Sequence, residues 1–281
     1  MKKLSLHKII VNFLYLFFCI FIFSTPFIDT NIISQNVFSE SNKLDSNSLT
    51  GDSGDGVAIN STNKPKVAFL TFDDGPSPNN TRQILKILKE NNVKATFFIV
   101  GEKAEANSEI LKEMSRSGMC ILPHCYSHSY ETIYNTPDSY FNDLNKCIGV
   151  IKRITKKTPQ SYVRMPGGSD NLVSKPESLR TIRNRLNAKG IDYVDWNVSS
   201  GDATADTVPA STIENNIFDQ CKEKNFVVML MHDSYYKKTT VESLNYTIRY
   251  LKDKGFQFKT FEDLNAFERG TMIKTGIMNR R

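Results

Sequence analysis

Three observations predict an α/β fold built on a parallel sheet. Short apolar runs alternate with helical stretches from residue 65 to residue 259, about seven strands in all, as in parallel sheets wound open or closed into a barrel. The first run, Lys66-Val67-Ala68-Phe69-Leu70-Thr71-Phe72, ends abruptly in Asp73-Asp74-Gly75-Pro76. Two carboxylates therefore stand at a strand end, where α/β enzymes keep their chemistry. The length, 281 residues, accommodates a barrel of about 200 residues together with an N-terminal extension.

The extension comes first. Lys2, Lys3 and Lys8 precede an almost unbroken run of Ile, Leu, Phe and Val over 9–23, the pattern of a secretory signal or a membrane anchor. No small-x-small cleavage site follows, and the apolar character continues to Ile28, close to the ~20 residues of a spanning helix. That favours an uncleaved anchor over residues 1–28, with the basic end inside and the remainder extracytoplasmic; cleavage would make the chain secreted. Residues 29–64 are rich in Ser, Asn, Asp and Gly, cannot bury a core, and read as a flexible tether.

The folded domain is expected over 65–267. Apolar runs place strands at 66–72, 95–100, 119–122, 162–163, 193–198, 226–231 and 256–259. Helical spacing places helices at 79–91, 108–117, 139–156, 177–189, 212–224 and 241–254. The tail, 268–281, is polar and basic and is expected to fray.

Charge and cysteine content exclude some classes. The formal charge of +6 comes from scattered Lys and Arg, not from a dense block, so there is no nucleic-acid footprint, and nothing indicates a protein partner. Of five cysteines, Cys19 lies in the apolar N-terminal run; Cys120, Cys125, Cys147 and Cys221 form neither a CxxC pair nor a zinc-finger spacing and are expected to be buried thiols.

The chemistry-bearing residues fall at strand ends. Asp-Asp-Gly alone is the composition of a solvated turn. Three of the four histidines, however, each follow an apolar run: His124 and His128 after Cys120-Ile121-Leu122, and His232 after Met229-Leu230-Met231. Two imidazoles four apart with Asp74 would give a two-nitrogen, one-oxygen set with open positions, suited to a metal. Arg164 puts a fixed cation beside Pro166-Gly167-Gly168, where Gly167 lets a backbone N–H approach a substrate. Asp202 closes the run Asp195-Trp196-Asn197-Val198-Ser199-Ser200-Gly201. Taken singly, Arg164 would be a surface ion pair and Asp202 a turn residue.

Together these stretches resemble the polysaccharide deacetylases with a NodB-homology domain, the fourth family of carbohydrate esterases. Thr71-Phe72-Asp73-Asp74-Gly75-Pro76 matches the first family motif outright. His124-Cys125-Tyr126-Ser127-His128 resembles the second, Arg164 to Gly168 the third, Ser199 to Asp202 the fourth and Leu230-Met231-His232-Asp233 the fifth, all in family order. The resemblance implies a distorted (β/α) barrel of about seven parallel strands and a hydrolase acting on linear amides, removing N-acetyl groups from a cell-wall polysaccharide, peptidoglycan N-acetylglucosamine first. It implies a divalent metal, zinc before cobalt, nickel or manganese, held by Asp74, His124 and His128. Asp73 would be the general base, His232 the general acid oriented by Asp202, and Arg164 the partner of Asp73. The Gly167 N–H would face the oxyanion, and Leu230 would line the acetate methyl pocket.

The sequence departs from that pattern in three places. Cys125 stands where Ser or Thr is usual, Ala203 where many members have Trp, and Gly167 where Tyr is frequent. None removes a ligand, base or acid, so the departures bear on substrate choice and rate. Chitin-like chains, an exopolysaccharide or acetyl-xylan are alternative substrates. A non-catalytic glycan-binding domain is the alternative from another class, disfavoured because a binder needs no separate base and acid.

Overall fold

The computed structural model describes residues 65–280. The expected membrane segment and tether lie outside the described residues, and within them no helix is long and apolar enough to cross a membrane. Eight short strands are present there: β1 Lys66–Asp73, β2 Thr96–Val100, β3 Cys120–Cys125, β4 Tyr162–Val163, β5 Asp192–Tyr193, β6 Val198–Ser199, β7 Phe226–His232 and β8 Phe256–Phe258. The helices are α1 Thr81–Glu90, α2 Gly101–Ala106, α3 Ser108–Arg116, α4 Tyr130–Ile133, α5 Pro137–Thr155, α6 Pro176–Ala188, α7 Ala210–Cys221, α8 Lys238–Asp253 and α9 Ala266–Lys274.

Every strand pairing is parallel. Five strands run in the order β3-β2-β1-β7-β6, β8 pairs with the start of β1, and β4 and β5 form a separate pair. A single backbone hydrogen bond, Arg164 N–H to the Pro123 carbonyl at 3.4 Å, joins β3 to β4. On the other side the chain itself passes from β5 into β6. The strands thus enclose an interior without a continuous ladder, a distorted barrel.

Side-chain alternation decides what faces that interior. In β1, Ala68, Leu70 and Phe72 pack outward in one cluster with Ile84 and Leu88 of α1, while Val67 and Phe69 pack inward with Phe98, Leu122 and Val228. The inward row of β1 therefore continues through Thr71 to Asp73. By the same period β3 sends Cys120, Leu122 and His124 inward, and β7 sends Val228, Leu230 and His232. Asp73 and His232 are register partners on adjacent strands.

Three expectations are corrected. The strand expected over 193–198 is two strands in different sheets, β5 beside β4 and β6 beside β7. Between them the chain crosses the barrel's gap, with Val194 donating to the Val163 carbonyl and Asn197 to that of Val228. The strand expected at 119–122 continues to Cys125, so His124 lies within it. The tail does not fray: α9 begins with a reciprocal cap between Asn265 and Glu268, and Met272, Ile277 and Met278 are buried in the inward cluster. Met278 bridges Val194, and Asn279 N–H donates to the Tyr193 carbonyl. Three buried apolar side chains anchor a segment that is otherwise polar except for the exposed Ile273. The four cysteines of the described region are free and buried, as expected.

Candidate active site

Arg164 sits inside the barrel, fully buried, its guanidinium 4.2 Å from the centre of the Phe98 ring. Its Nε donates to the Val194 carbonyl at 3.1 Å and its Nη2 to the Asp195 carbonyl at 3.1 Å. Nη1 donates to Thr71 Oγ1 at 2.6 Å and to Asp73 Oδ1 at 2.9 Å. A buried cation needs this degree of pairing, and the planar fork supplies it where a lysine could not. Asp73 is therefore fixed in direction at the end of the inward row.

Asp74 follows with a left-handed backbone, φ 74°, and His128 also has a left-handed φ, of 53°. Non-glycine residues occupy that region at a cost, and such strain concentrates at functional sites. Here it turns Asp74 from the strand direction toward the two imidazoles. Asp74 Oδ1 lies 3.0 Å from His128 Nε2 and 3.5 Å from His124 Nε2. That oxygen is buried and accepts no hydrogen bond. His124 Nδ1 is 2.7 Å from the Arg164 carbonyl, to which it must donate, leaving the Nε2 lone pair toward Asp74.

These three groups fit a divalent cation. Donor atoms about 2.1 Å from one ion at tetrahedral angles stand about 3.4 Å apart, and the two separations from Asp74, 3.0 and 3.5 Å, bracket that value. Burial holds the His124 pKa down, which suits a neutral nitrogen ligand. For Asp74 burial opposes ionisation but is outweighed by contact with His128 and the nearby rings, so its pKa is low; for His128 burial is outweighed by Asp74 and its pKa is raised. Cys125 also has its sulfur within 4.8 Å of ligand atoms of His124 and His128. Burial pushes that thiol well above its usual range, so it is a poor donor beside the carboxylate.

His232 faces the same mouth. Its Nδ1 is 2.7 Å from Asp202 Oδ1, while its backbone N–H and Thr240 Oγ1 both donate to Asp202 Oδ2 at 2.8 Å. Burial opposes charging His232, but the Asp202 hydrogen bond and charge prevail and raise its pKa to about 9. Burial likewise opposes ionising Asp202, and the same contact reverses it, holding that pKa low. The ring is thus protonated at neutral pH, with Nε2 opposite its orienting carboxylate.

Gly167 has φ 77°, and a Cβ built there would lie 3.2 Å from Tyr130 Oη and 3.2 Å from Asn171 Cβ. Among the described residues its N–H has no hydrogen-bond acceptor. Leu230 precedes His232 by two on β7 and so shares its inward row; its register partner on β1 is Thr71. Trp196 lies beside Gly168, 3.3 Å from where a Cβ there would stand.

Two supporting carboxylates escaped the sequence reading. Asp143 of α5 accepts from Tyr126 N–H at 2.5 Å, Ser127 N–H at 3.1 Å and Ser127 Oγ at 2.7 Å, fixing the loop between His124 and His128. An acid within the buried stripe Tyr140-Asp143-Leu144-Cys147 was the available signal. Asp195 accepts from Ser169 N–H at 2.9 Å and Ser169 Oγ at 2.5 Å, holding the loop that carries Gly167.

A family model described as polysaccharide deacetylase matches residues 60–194. The chain is 32% identical over 203 residues to a peptidoglycan-N-acetylglucosamine deacetylase of Bacillus cereus, covering 72% of this chain and 69% of that protein. Among solved structures it is similar to the catalytic domain of a peptidoglycan N-acetylglucosamine deacetylase from Eubacterium rectale, with TM-score 0.66 and 32% identity, over 73% of this chain and 91% of that one. It is also similar to a polysaccharide deacetylase from Bacillus cereus, with TM-score 0.62 and 29% identity, over 70% and 93% of the two chains.

Proposed function

This chain belongs to the polysaccharide deacetylase family, hydrolases that act on amide bonds, and from that premise we propose that it removes N-acetyl groups from the N-acetylglucosamine of peptidoglycan. The observation that carries the chemistry is the convergence of Asp73, Asp74, His124, His128 and His232 at neighbouring strand ends, with Asp74 Oδ1 between two imidazole nitrogens. The substrate rests on the relatives named for it. The apolar segment at residues 9–28, read as a membrane anchor, would expose the domain to that polymer.

Asp74, His124 and His128 would hold the metal, zinc by preference, since two neutral nitrogens and a carboxylate with an open position suit it. When bound, the metal supplies Lewis acidity to the attacking water and to the acetamide carbonyl. Asp73, aimed by Arg164, accepts the proton of the attacking water. The Gly167 N–H donates to the carbonyl oxygen as negative charge gathers on it, and Leu230 packs beside the methyl group. His232, its other nitrogen held by Asp202, gives its proton to the departing amine.

The test is to incubate the purified chain and zinc with peptidoglycan, N-acetylated chitin oligomers and acetyl-xylan, and to measure released acetate. Peptidoglycan should release acetate fastest, with free amines on glucosamine after muramidase digestion, and a chelator should abolish the release. Acetate from acetyl-xylan alone would refute the amide reading; amines on muramic acid alone would refute the choice of sugar.

A further inference from the structure

Between β7 and α8, Tyr235 and Tyr236 are 59% and 65% exposed, their rings edge to face with centres 5.2 Å apart. Scattered exposed aromatics are ordinary; two together on a fixed loop that begins directly after His232 are not. The loop is held from beneath. Asn80 Nδ2 donates to the carbonyls of Ser234 at 2.7 Å and Tyr235 at 3.1 Å, and Asn79 Nδ2 donates to that of Tyr235 at 2.8 Å. Lys237 N–H closes a turn onto the Ser234 carbonyl, while its Nζ donates to the carbonyls of Asp202 at 2.9 Å and Ala205 at 2.8 Å. Asn79 and Asn80 follow the Asp73-Asp74 turn, and Asp202 orients His232. The pair is therefore built onto the two segments that carry the base and the acid. Among the described residues neither hydroxyl makes a hydrogen bond.

We propose that Tyr235 and Tyr236 form a sugar-stacking subsite for a neighbouring ring of the polysaccharide, beyond the one whose acetamide enters the site. A pyranose offers an apolar C–H face and hydroxyl edges, matching a ring that is apolar in body and polar at its tip. The fixed loop spares the ordering cost that a mobile one would add to binding. The inference rests on the function proposed above for the polymer, but the pair's binding role can be read without turnover.

Tyr235→Ala, Tyr236→Ala and the double variant should raise KM for an N-acetylated chitin pentamer by about five- to thirty-fold, the range of a lost interface aromatic, with the loss in KM rather than kcat. Shortening the oligomer to one sugar should shrink the difference, and Phe at both positions should restore most of it. The Kd of the pentamer for the metal-free chain, measured by NMR titration, should rise by the same factor, which keeps the subsite testable if the chain deacetylates a different polymer. Unchanged Kd in the double variant, or a loss independent of oligomer length, would overturn the proposal. So would a wild-type dimer, by sedimentation, that the double variant converts to monomer, since a second copy would then be the pair's partner.

Discussion

If His232, held by Asp202, supplies the proton of the leaving group as proposed, two measurements separate the roles of single side chains. An amine cannot depart from a tetrahedral intermediate without a proton, whereas an aryl acetate leaves as a weakly basic phenolate. His232→Ala should therefore cut turnover ~10²–10⁴-fold on acetamido sugars and much less on aryl acetates, while Asp73→Asn should fail on both with metal still bound. Equal defects of His232→Ala on the two substrates would leave it a positioning role only. The pH profile tests the pair itself. His232 is charged below about 9, so its donor form is lost as pH rises through that value. Asp202→Asn removes the contact that outweighs burial, so the alkaline limb should move down, toward or below the ring's ordinary 6.5. The same shifts carry stability. The raised His232 pKa contributes below 6.5 and is lost as pH rises through about 9, whereas the lowered Asp202 pKa contributes above 3.8 and is lost as pH falls. An alkaline limb that stays in place in Asp202→Asn would show that another group titrates there.

Among the elements, the loop between β3 and α4 depends on α5, the second helix after it. Asp143→Ala removes three hydrogen bonds from Tyr126 and Ser127 while leaving every candidate ligand in place. Metal affinity should fall by roughly 10–100-fold, as for other lost supports of a ligand shell, and a chelator competition measures it. An unchanged affinity would mean that β3 and the left-handed turn at His128 suffice. This residue also marks where the sequence stopped being informative. β1, β2 and β7 were readable because each is a continuous apolar run, as strands covered on both faces must be. The candidate ligands were readable because they interrupt or follow those runs. The break between β5 and β6 was not, since Tyr193-Val194 and Val198 look alike in hydrophobicity while pairing with different strands. Asp143 and Asp195 act through the backbone and serine hydroxyls of loops, and Thr71 through Arg164, and no local pattern announces partners sixteen or more residues away.

For the whole molecule, a metal that binds only the folded chain must raise its stability by mass action. With zinc at 100 times its Kd the gain should be about 2.7 kcal/mol, seen as a higher Tm that a chelator reverses. His124→Ala should abolish the gain, and a Tm indifferent to zinc in the wild-type chain would contradict a site formed on folding. The inward rows also govern which changes a lineage can tolerate. Exchange of one apolar residue for another in β1 or β7 leaves Asp73 level with His232, but inserting or deleting a single residue turns each row over and points the carboxylate outward. Drift in these strands should therefore run freely through composition and almost never through length, with insertions confined to the connections beyond their ends.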